Sequence, residues 1–253
     1  MENVFSLAGR TAVITGGLSG LGLAMTECML KSGARVAVIS RHGKEVYEEK
    51  KQTYGDRLLY YPFDITDTEK VPAMVAEIAG ALGHIDILCN NAGNHCKKAI
   101  EDMTVKDYTD VLQVHLVGAF ALTRAVIPHM KKNKFGSIIF TASMTSFIGQ
   151  PYIAGYATAK AGYLGMVHTL ATELGDSGIR VNAIAPGWID TPMFHKATDQ
   201  DEPRRNKIFG RIPMKRVGQP EDIGWAAVFL SSEAASYISG TCLPVDGGAL
   251  IGF

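Results

Sequence analysis

The feature that most constrains this chain is a regular alternation, in which short apolar, β-branched runs are each followed by a segment with helical spacing. Residues 11–15 (TAVIT), 35–39 (RVAVI), 58–62, 85–90 (IDILCN), 137–141 (SIIFT) and 180–185 (RVNAIA) read as strands. They are apolar on both faces, as strands covered by helices on both sides must be. Helical patterns fall at 21–31, 45–52, 68–82, 105–132 and 156–174, and a helix over 220–230 with a strand over 241–245 closes the series. Strand–helix–strand units in one sheet pair parallel through right-handed crossovers. The expectation is an α/β fold, a single doubly wound domain over 1–253 with a seven-stranded parallel sheet flanked by helices on both faces.

Residues 190–216 break the alternation. They are polar, interrupted by prolines and without a clean period. A long irregular stretch after a strand end in an open α/β sheet reads as a substrate lid, with an oligomer contact or a surface loop as the other readings.

Composition narrows the function classes. The 253 residues carry 25 Lys+Arg against 25 Asp+Glu, and 47% are apolar. That is too hydrophobic for a disordered chain, and the neutral balance argues against nucleic-acid binding, which needs a basic face. From Phe135 up to Glu173 the only charge is Lys160, yet the stretch is rich in Gly, Ser and Thr and is no membrane span. The opening Met1-Glu2-Asn3-Val4-Phe5-Ser6 has no basic start, apolar core or cleavage signal, so a cytoplasmic protein is expected. Four scattered cysteines (Cys28, Cys89, Cys96, Cys242) read as reduced thiols, and no His stands at zinc-type spacing from any close pair, so no metal is expected.

The first strand runs into Thr15-Gly16-Gly17-Leu18-Ser19-Gly20-Leu21-Gly22 and then straight into a helix. Glycines permit a tight turn and let backbone N–H groups approach a pyrophosphate at the positive helix N-terminus. At the first strand–helix junction of a βαβ unit, this marks a Rossmann-type dinucleotide site. The second strand ends Ile39-Ser40-Arg41-His42, with no carboxylate to accept from a ribose 2′-OH. A hydroxyl beside a guanidinium suits a 2′-phosphate, which favours NADP(H) and leaves NAD(H) possible.

Tyr156-Ala157-Thr158-Ala159-Lys160 opens an amphipathic segment, so phenol and ammonium share one helix face. An ordinary tyrosine titrates near 10, and bringing it close to neutrality takes about 3–4 kcal/mol of preferential phenolate stabilisation. A cation in a dry cleft is one source of it, and the tuned phenol then exchanges a proton with an alcohol or carbonyl. Alone the pair is a common accident on a helix. Ser143, just past the strand end at Thr141, brings a third group to the same edge as the glycine turn.

Together, Thr15-Gly-x-x-x-Gly-x-Gly22, Asn90-Asn91-Ala92-Gly93, Ser143, Tyr156-x-x-x-Lys160, Pro186-Gly187 and Val245-Asp246-Gly247-Gly248 resemble the short-chain dehydrogenase/reductase family over essentially the whole chain. The resemblance implies Tyr156 as general acid/base, Ser143 holding the substrate oxygen, and Lys160 lowering the tyrosine pKa and binding the nicotinamide ribose. It implies nucleotide contacts from Gly16, Leu18, Ser19, Gly20, Leu21, Gly22, Ser40, Arg41, Asp64, Ile65, Asn91, Ala92 and Gly93. Pro186, Gly187, Ile189 and Thr191 would meet the nicotinamide. One position departs: where many members carry an asparagine supporting a water relay to the lysine, Val114-His115-Leu116 has His115. It reads either as a proton-carrying relay member or as a packing replacement.

For the substrate, His95, Thr145 and Trp188, with Asn94, Met144, Ile153 and Phe194 nearby, mix apolar and hydrogen-bonding groups. They fit a small polyhydroxylated molecule, and the chain resembles the gluconate 5-dehydrogenase-like sugar and polyol members. Arg204, Arg205 and Lys207 in the presumed lid read as a carboxylate clamp or a solvated face. A 3-oxoacyl-(acyl-carrier-protein) reductase is the alternative enzyme, with Lys131, Lys132 and Lys134 facing an acidic carrier, although Asp176 stands where such enzymes often place arginine. A catalytically silent NADPH-sensing protein is the alternative of another class, and it predicts decay of the Ser143, Tyr156 and Lys160 set. The resemblance also implies a homotetramer formed through the 105–132 and 156–174 helices, with Met166, Leu170 and Ala171 as apolar surface, and through the apolar tail 249–253.

Overall fold

The computed structural model describes residues 3–252. Seven strands, β1 (Thr11–Thr15), β2 (Arg35–Ile39), β3 (Leu58–Tyr61), β4 (Ile87–Asn90), β5 (Gly136–Thr141), β6 (Ile179–Pro186) and β7 (Cys242–Val245), form one sheet in the order β3-β2-β1-β4-β5-β6-β7. Every pair is parallel. The order reverses between β1 and β4, and the crevice at that switch point is where sheets of this kind bind ligands.

The strands are apolar at every position because both faces are covered. Val13, Ile39, Leu88, Phe140 and Val181 point into a core shared with α3 (Val71–Leu82), α5 (Ala119–Asn133) and α6 (Ala154–Leu174). Their neighbours Ala12, Ile14, Val36, Val38, Ile139 and Ile184 point the other way, against α1 (Gly20–Lys31) and α9 (Pro220–Ser231). The remaining helices are α2 (Lys44–Tyr54), α4 (Val105–Leu112), α7 (Pro192–Thr198) and α8 (Glu202–Arg211). At about 25 cal/mol per Å² of apolar surface, these paired layers supply the main favourable term of folding.

Two segments differ from the sequence reading. The helix expected over 105–132 is interrupted by a π turn, Gln113–Gly118. Gly118 lies so close to the strand-following loop that a Cβ there would meet the Ile65 carbonyl oxygen at 2.9 Å, so tertiary packing sets the interruption. Residues 190–216 are not irregular throughout, since α7 and α8 occupy much of them. Pro192 and Pro203 stand in first turns, where proline starts a helix, and Thr191 and Asp201 cap them. The two helices have 7 and 10 residues, too short to display a period.

By length and composition the run Val105–Asn133 is apolar enough to cross a membrane. Here it lies along the sheet with Leu122, Val126 and Met130 buried. The four cysteines are free, and burial pushes the Cys28 thiol up to about 11 and Cys89 to about 12, which keeps both protonated and inert.

Candidate active site

The glycine turn fits a nucleotide pyrophosphate by its own geometry. Gly16 and Gly20 hold positive φ of 66° and 48°, a region that side chains resist. A Cβ on Gly22 would sit 2.2 Å from the Gly16 carbonyl oxygen, whereas one on Gly20 would meet nothing within 4 Å. The turn is therefore tight beneath and open above, where the first-turn N–H groups of α1 lack helical acceptors. Ser19, at the N-cap, makes no side-chain cap, and no acidic residue stands in that first turn to compete with an anion. Thr15 clamps the turn to the segment after β4: its Oγ1 accepts from the Asn91 and Ala92 N–H groups at 2.9 Å each, and its carbonyl accepts from Asn91 Nδ2 at 3.0 Å.

At the end of β2, Ser40 Oγ donates to the His42 carbonyl, and Arg41 pairs with Asp64 at 3.4 Å on the surface. Burial pushes the Asp64 carboxyl upward. The Thr66 hydrogen bonds and the Arg41 guanidinium outweigh it, leaving the carboxyl below its ordinary value. Ile65 is buried beneath Gly118.

Ser143, Tyr156 and Lys160 converge at the carboxyl ends of β4, β5 and β6. Ser143 follows β5, is buried, and accepts from Thr145 N–H at 3.1 Å, which leaves its hydroxyl proton free for another group. Tyr156, in the first turn of α6, stands between two imidazoles: His95 at 5.3 Å between ring centroids and His115 edge-on at 5.6 Å. Lys160, one turn on, is buried and donates to the Thr141 carbonyl, with its Nζ 5.3 Å from the Tyr156 ring centroid. Burial without a carboxylate partner lowers Lys160 to about 7.

At the β6 edge, Pro186 and Gly187 lead past Trp188 to Ile189, which bridges Gly218, and to Thr191 at the cap of α7. Gly187 is obligatory, since a Cβ there would lie 2.7 Å from Asp246 Cα. Trp188 and Phe194 join Met144, Ile208, Ile212 and Ala249 in a small third core, so α7, α8 and the tail close over this edge together. Ala249 is thereby covered from within the chain. His195 on α7 bonds Asp190 at 2.6 Å and Asp199 at 3.1 Å, and these hydrogen bonds, Asp199 first, raise its pKa. Arg205 and Lys207 are exposed on α8.

A family model described as enoyl-(acyl carrier protein) reductase matches residues 16–249. The chain belongs to the short-chain dehydrogenase/reductase family. It is 36% identical over 247 residues, 97% of this chain and 99% of the relative, to a 3-oxoacyl-(acyl-carrier-protein) reductase of Thermotoga maritima. It is 34% identical over 253 residues, 99% of each chain, to the 5-keto-D-gluconate 5-reductase of Escherichia coli K12. A gluconate 5-dehydrogenase of Burkholderia cenocepacia, crystallised with NADP and tartrate, superposes with a TM-score of 0.91 at 30% identity over 97% of each chain. The chain is accordingly an oxidoreductase.

Two features of this short-chain dehydrogenase/reductase refine the sequence reading, one at Tyr156 and one that decides between the two alternatives for His115. With the chain's own groups alone the Tyr156 phenol lies above its ordinary value: burial raises it, and the Ser143 hydroxyl pulls the other way without offsetting the rise. Burial also holds His115 down to about 3, aided by the nearby Lys160 charge, so the ring stays neutral, with one N–H, near neutral pH. The sequence reading also passed over Tyr163, whose hydroxyl donates to the His115 carbonyl at 2.7 Å. Its spacing was the available signal, because Tyr156, Lys160 and Tyr163 fall at i, i+4 and i+7 on one face of α6.

Proposed function

We propose that this chain is an NADP(H)-dependent oxidoreductase that interconverts a ketone and a secondary alcohol on a sugar acid or a related polyhydroxylated molecule. The observation that carries the reading is the convergence of Ser143, Tyr156 and Lys160 on the sheet edge that also holds the open glycine turn. The turn and the first turn of α1 hold the pyrophosphate, Arg41 and Ser40 take the 2′-phosphate, and Asn91, Ala92 and Gly93 line the ribose side. When bound, the nicotinamide exchanges a hydride with the substrate carbon and, oxidised, brings a positive charge to the cleft.

The chain's residues manage the proton. Ser143, its Oγ already accepting from Thr145, directs its hydroxyl proton at the substrate oxygen and offsets the charge that develops there. Tyr156 donates its phenolic proton to that oxygen in reduction and removes it in oxidation. Burial raises the phenol; in this reading the Lys160 ammonium, 5.3 Å from the ring centroid, offsets the cost of the phenolate, and its remaining N–H groups bind the ribose hydroxyls. His95, Thr145 and Trp188 face the substrate, and α7 and α8 form its lid. The assembly is a homotetramer, for which exposed Val117 and Phe120 on the α4–α5 run supply apolar surface.

The test is a panel at 340 nm crossing NADPH and NADH with keto-sugar acids, keto-sugars, polyols and an acetoacetyl thioester. Turnover of a keto-sugar acid with NADPH supports the reading. Preferred turnover of the thioester supports the carrier-protein alternative, which the Thermotoga maritima relative favours. Tight NADPH binding with no turnover supports a silent sensor.

A further inference from the structure

Four of the five buried side-chain atoms without a hydrogen-bond partner among the described residues belong to residues of this edge and its immediate supports: Asn90 Oδ1, Asn94 Oδ1, Thr145 Oγ1 and His115 Nδ1. The His115 atom carries the argument furthest, because the same side chain makes two contacts that reach different parts of the site. Its Nε2 lies 2.9 Å from the Asn94 carbonyl oxygen. The Asn94 N–H also lies 3.3 Å from Nε2, but the shorter contact is to a carbonyl, which only accepts, and this assigns the proton to Nε2 and leaves Nδ1 as the bare, buried nitrogen. The ring is also wedged against the backbone, since a Cβ on Gly93 would lie 2.3 Å from its Cε1. His115 sits in the π turn, where the helical hydrogen-bond ladder is disturbed, and its carbonyl accepts from Tyr163 Oη of α6 at 2.7 Å.

We propose that His115 is a positioning residue that, with Tyr163, ties the helix bearing Tyr156 and Lys160 to the Gly93–Asn94 backbone, and that it works as a fixed neutral imidazole rather than as a proton carrier. The titratable groups around it are Lys160, Tyr156 and Tyr163 on α6 and His95 on the segment after β4; none of the groups acting on its charge is a carboxylate. Protonation would place a cation on the unpartnered Nδ1 in a buried site beside an ammonium, which burial and Coulomb repulsion both oppose. The tie explains why the segment after Asn91 needs glycine at 93 and why a tyrosine stands three residues beyond the lysine.

The proposal rests on the oxidoreductase reading for its consequence in catalysis, and the tests separate the two. Histidine ¹⁵N NMR of the whole protein is expected to show His115 as the neutral Nε2–H tautomer, unchanged between about pH 5.5 and pH 8.5. A titration midpoint inside that range overturns the proposal whether or not the protein turns over a substrate. In the active enzyme, His115→Phe keeps a ring and loses the donor, and it should raise the nucleotide KM and lower kcat by about tenfold to a hundredfold. His115→Gln, whose amide restores a donor, should recover most of both. Tyr163→Phe, a milder change, should move the same constants in the same direction. All three should leave the pH limbs of kcat/KM where the wild type has them. A shifted limb in His115→Gln, or a folded His115→Phe with wild-type constants, contradicts the tie. An inert protein whose His115 stays neutral leaves the tie standing and removes the proposed function instead.

Discussion

Lys160→Met isolates the electrostatic cost of the site. The ammonium is buried, its one acceptor among the described residues is the Thr141 carbonyl, and burial lowers it from 10.5 to about 7. Between those values the unfolded chain binds a proton that the folded chain does not, so stability rises with pH across the window. The contribution is complete above the unfolded value and is lost as pH falls to about 7. Each pH unit inside the window is worth about 1.4 kcal/mol. Wild type should therefore gain about 3 kcal/mol on Lys160→Met between about pH 7 and about pH 9.5. The assay is urea unfolding of both proteins at several pH values and at one protein concentration, without nucleotide. The difference between the two stability curves cancels every other titrating group. Parallel curves over that range would refute the reasoning, because they would mean that Lys160 is solvated or paired.

Three further outcomes follow from named contacts. Gly22→Ala drives a methyl toward the Gly16 carbonyl, so the turn must shift; overpacking of this kind costs about 1–3 kcal/mol, and NADPH affinity by fluorescence titration should fall by about tenfold or more. Arg41→Ala removes a charge-assisted partner worth about 1.5–3 kcal/mol, so the NADPH Kd should rise about 10- to 100-fold while that for NADH changes little. Equal losses for both nucleotides would remove Arg41 from 2′-phosphate recognition. His195 should titrate above its ordinary 6.5, its contacts with Asp199 and Asp190 loosening as pH rises through that raised value, and an NMR midpoint at or below 6.5 would contradict the pairing.

The sheet was legible because burial on both faces leaves a residue-level trace: Val13 and Ile14 must both be apolar when each enters a different core. The trio was legible for a similar reason, since helical spacing puts Tyr156 and Lys160 on one face whatever surrounds them. What surrounds them was not. The phenol's upward shift comes from burial, which the Ser143 hydroxyl opposes, and the ring's neighbours Ser143, His95 and His115 are brought to it from separate parts of the chain. The π turn was hidden because Val114-His115-Leu116-Val117 satisfies an ordinary helical pattern, and the contact that interrupts it is with Ile65. The helices within 190–216 were obscured by prolines whose meaning depends on position, breaker in an interior and starter in a first turn.

The central claim is that the Tyr156 hydroxyl moves the proton when hydride is exchanged beside it. Tyr156→Phe removes that oxygen and keeps the ring that packs between His95 and His115. Measured on the best substrate of the panel, kcat should fall by about 10²- to 10⁴-fold while NADPH affinity stays within about threefold. A variant that binds NADPH normally and turns over within a few-fold of wild type would contradict the account.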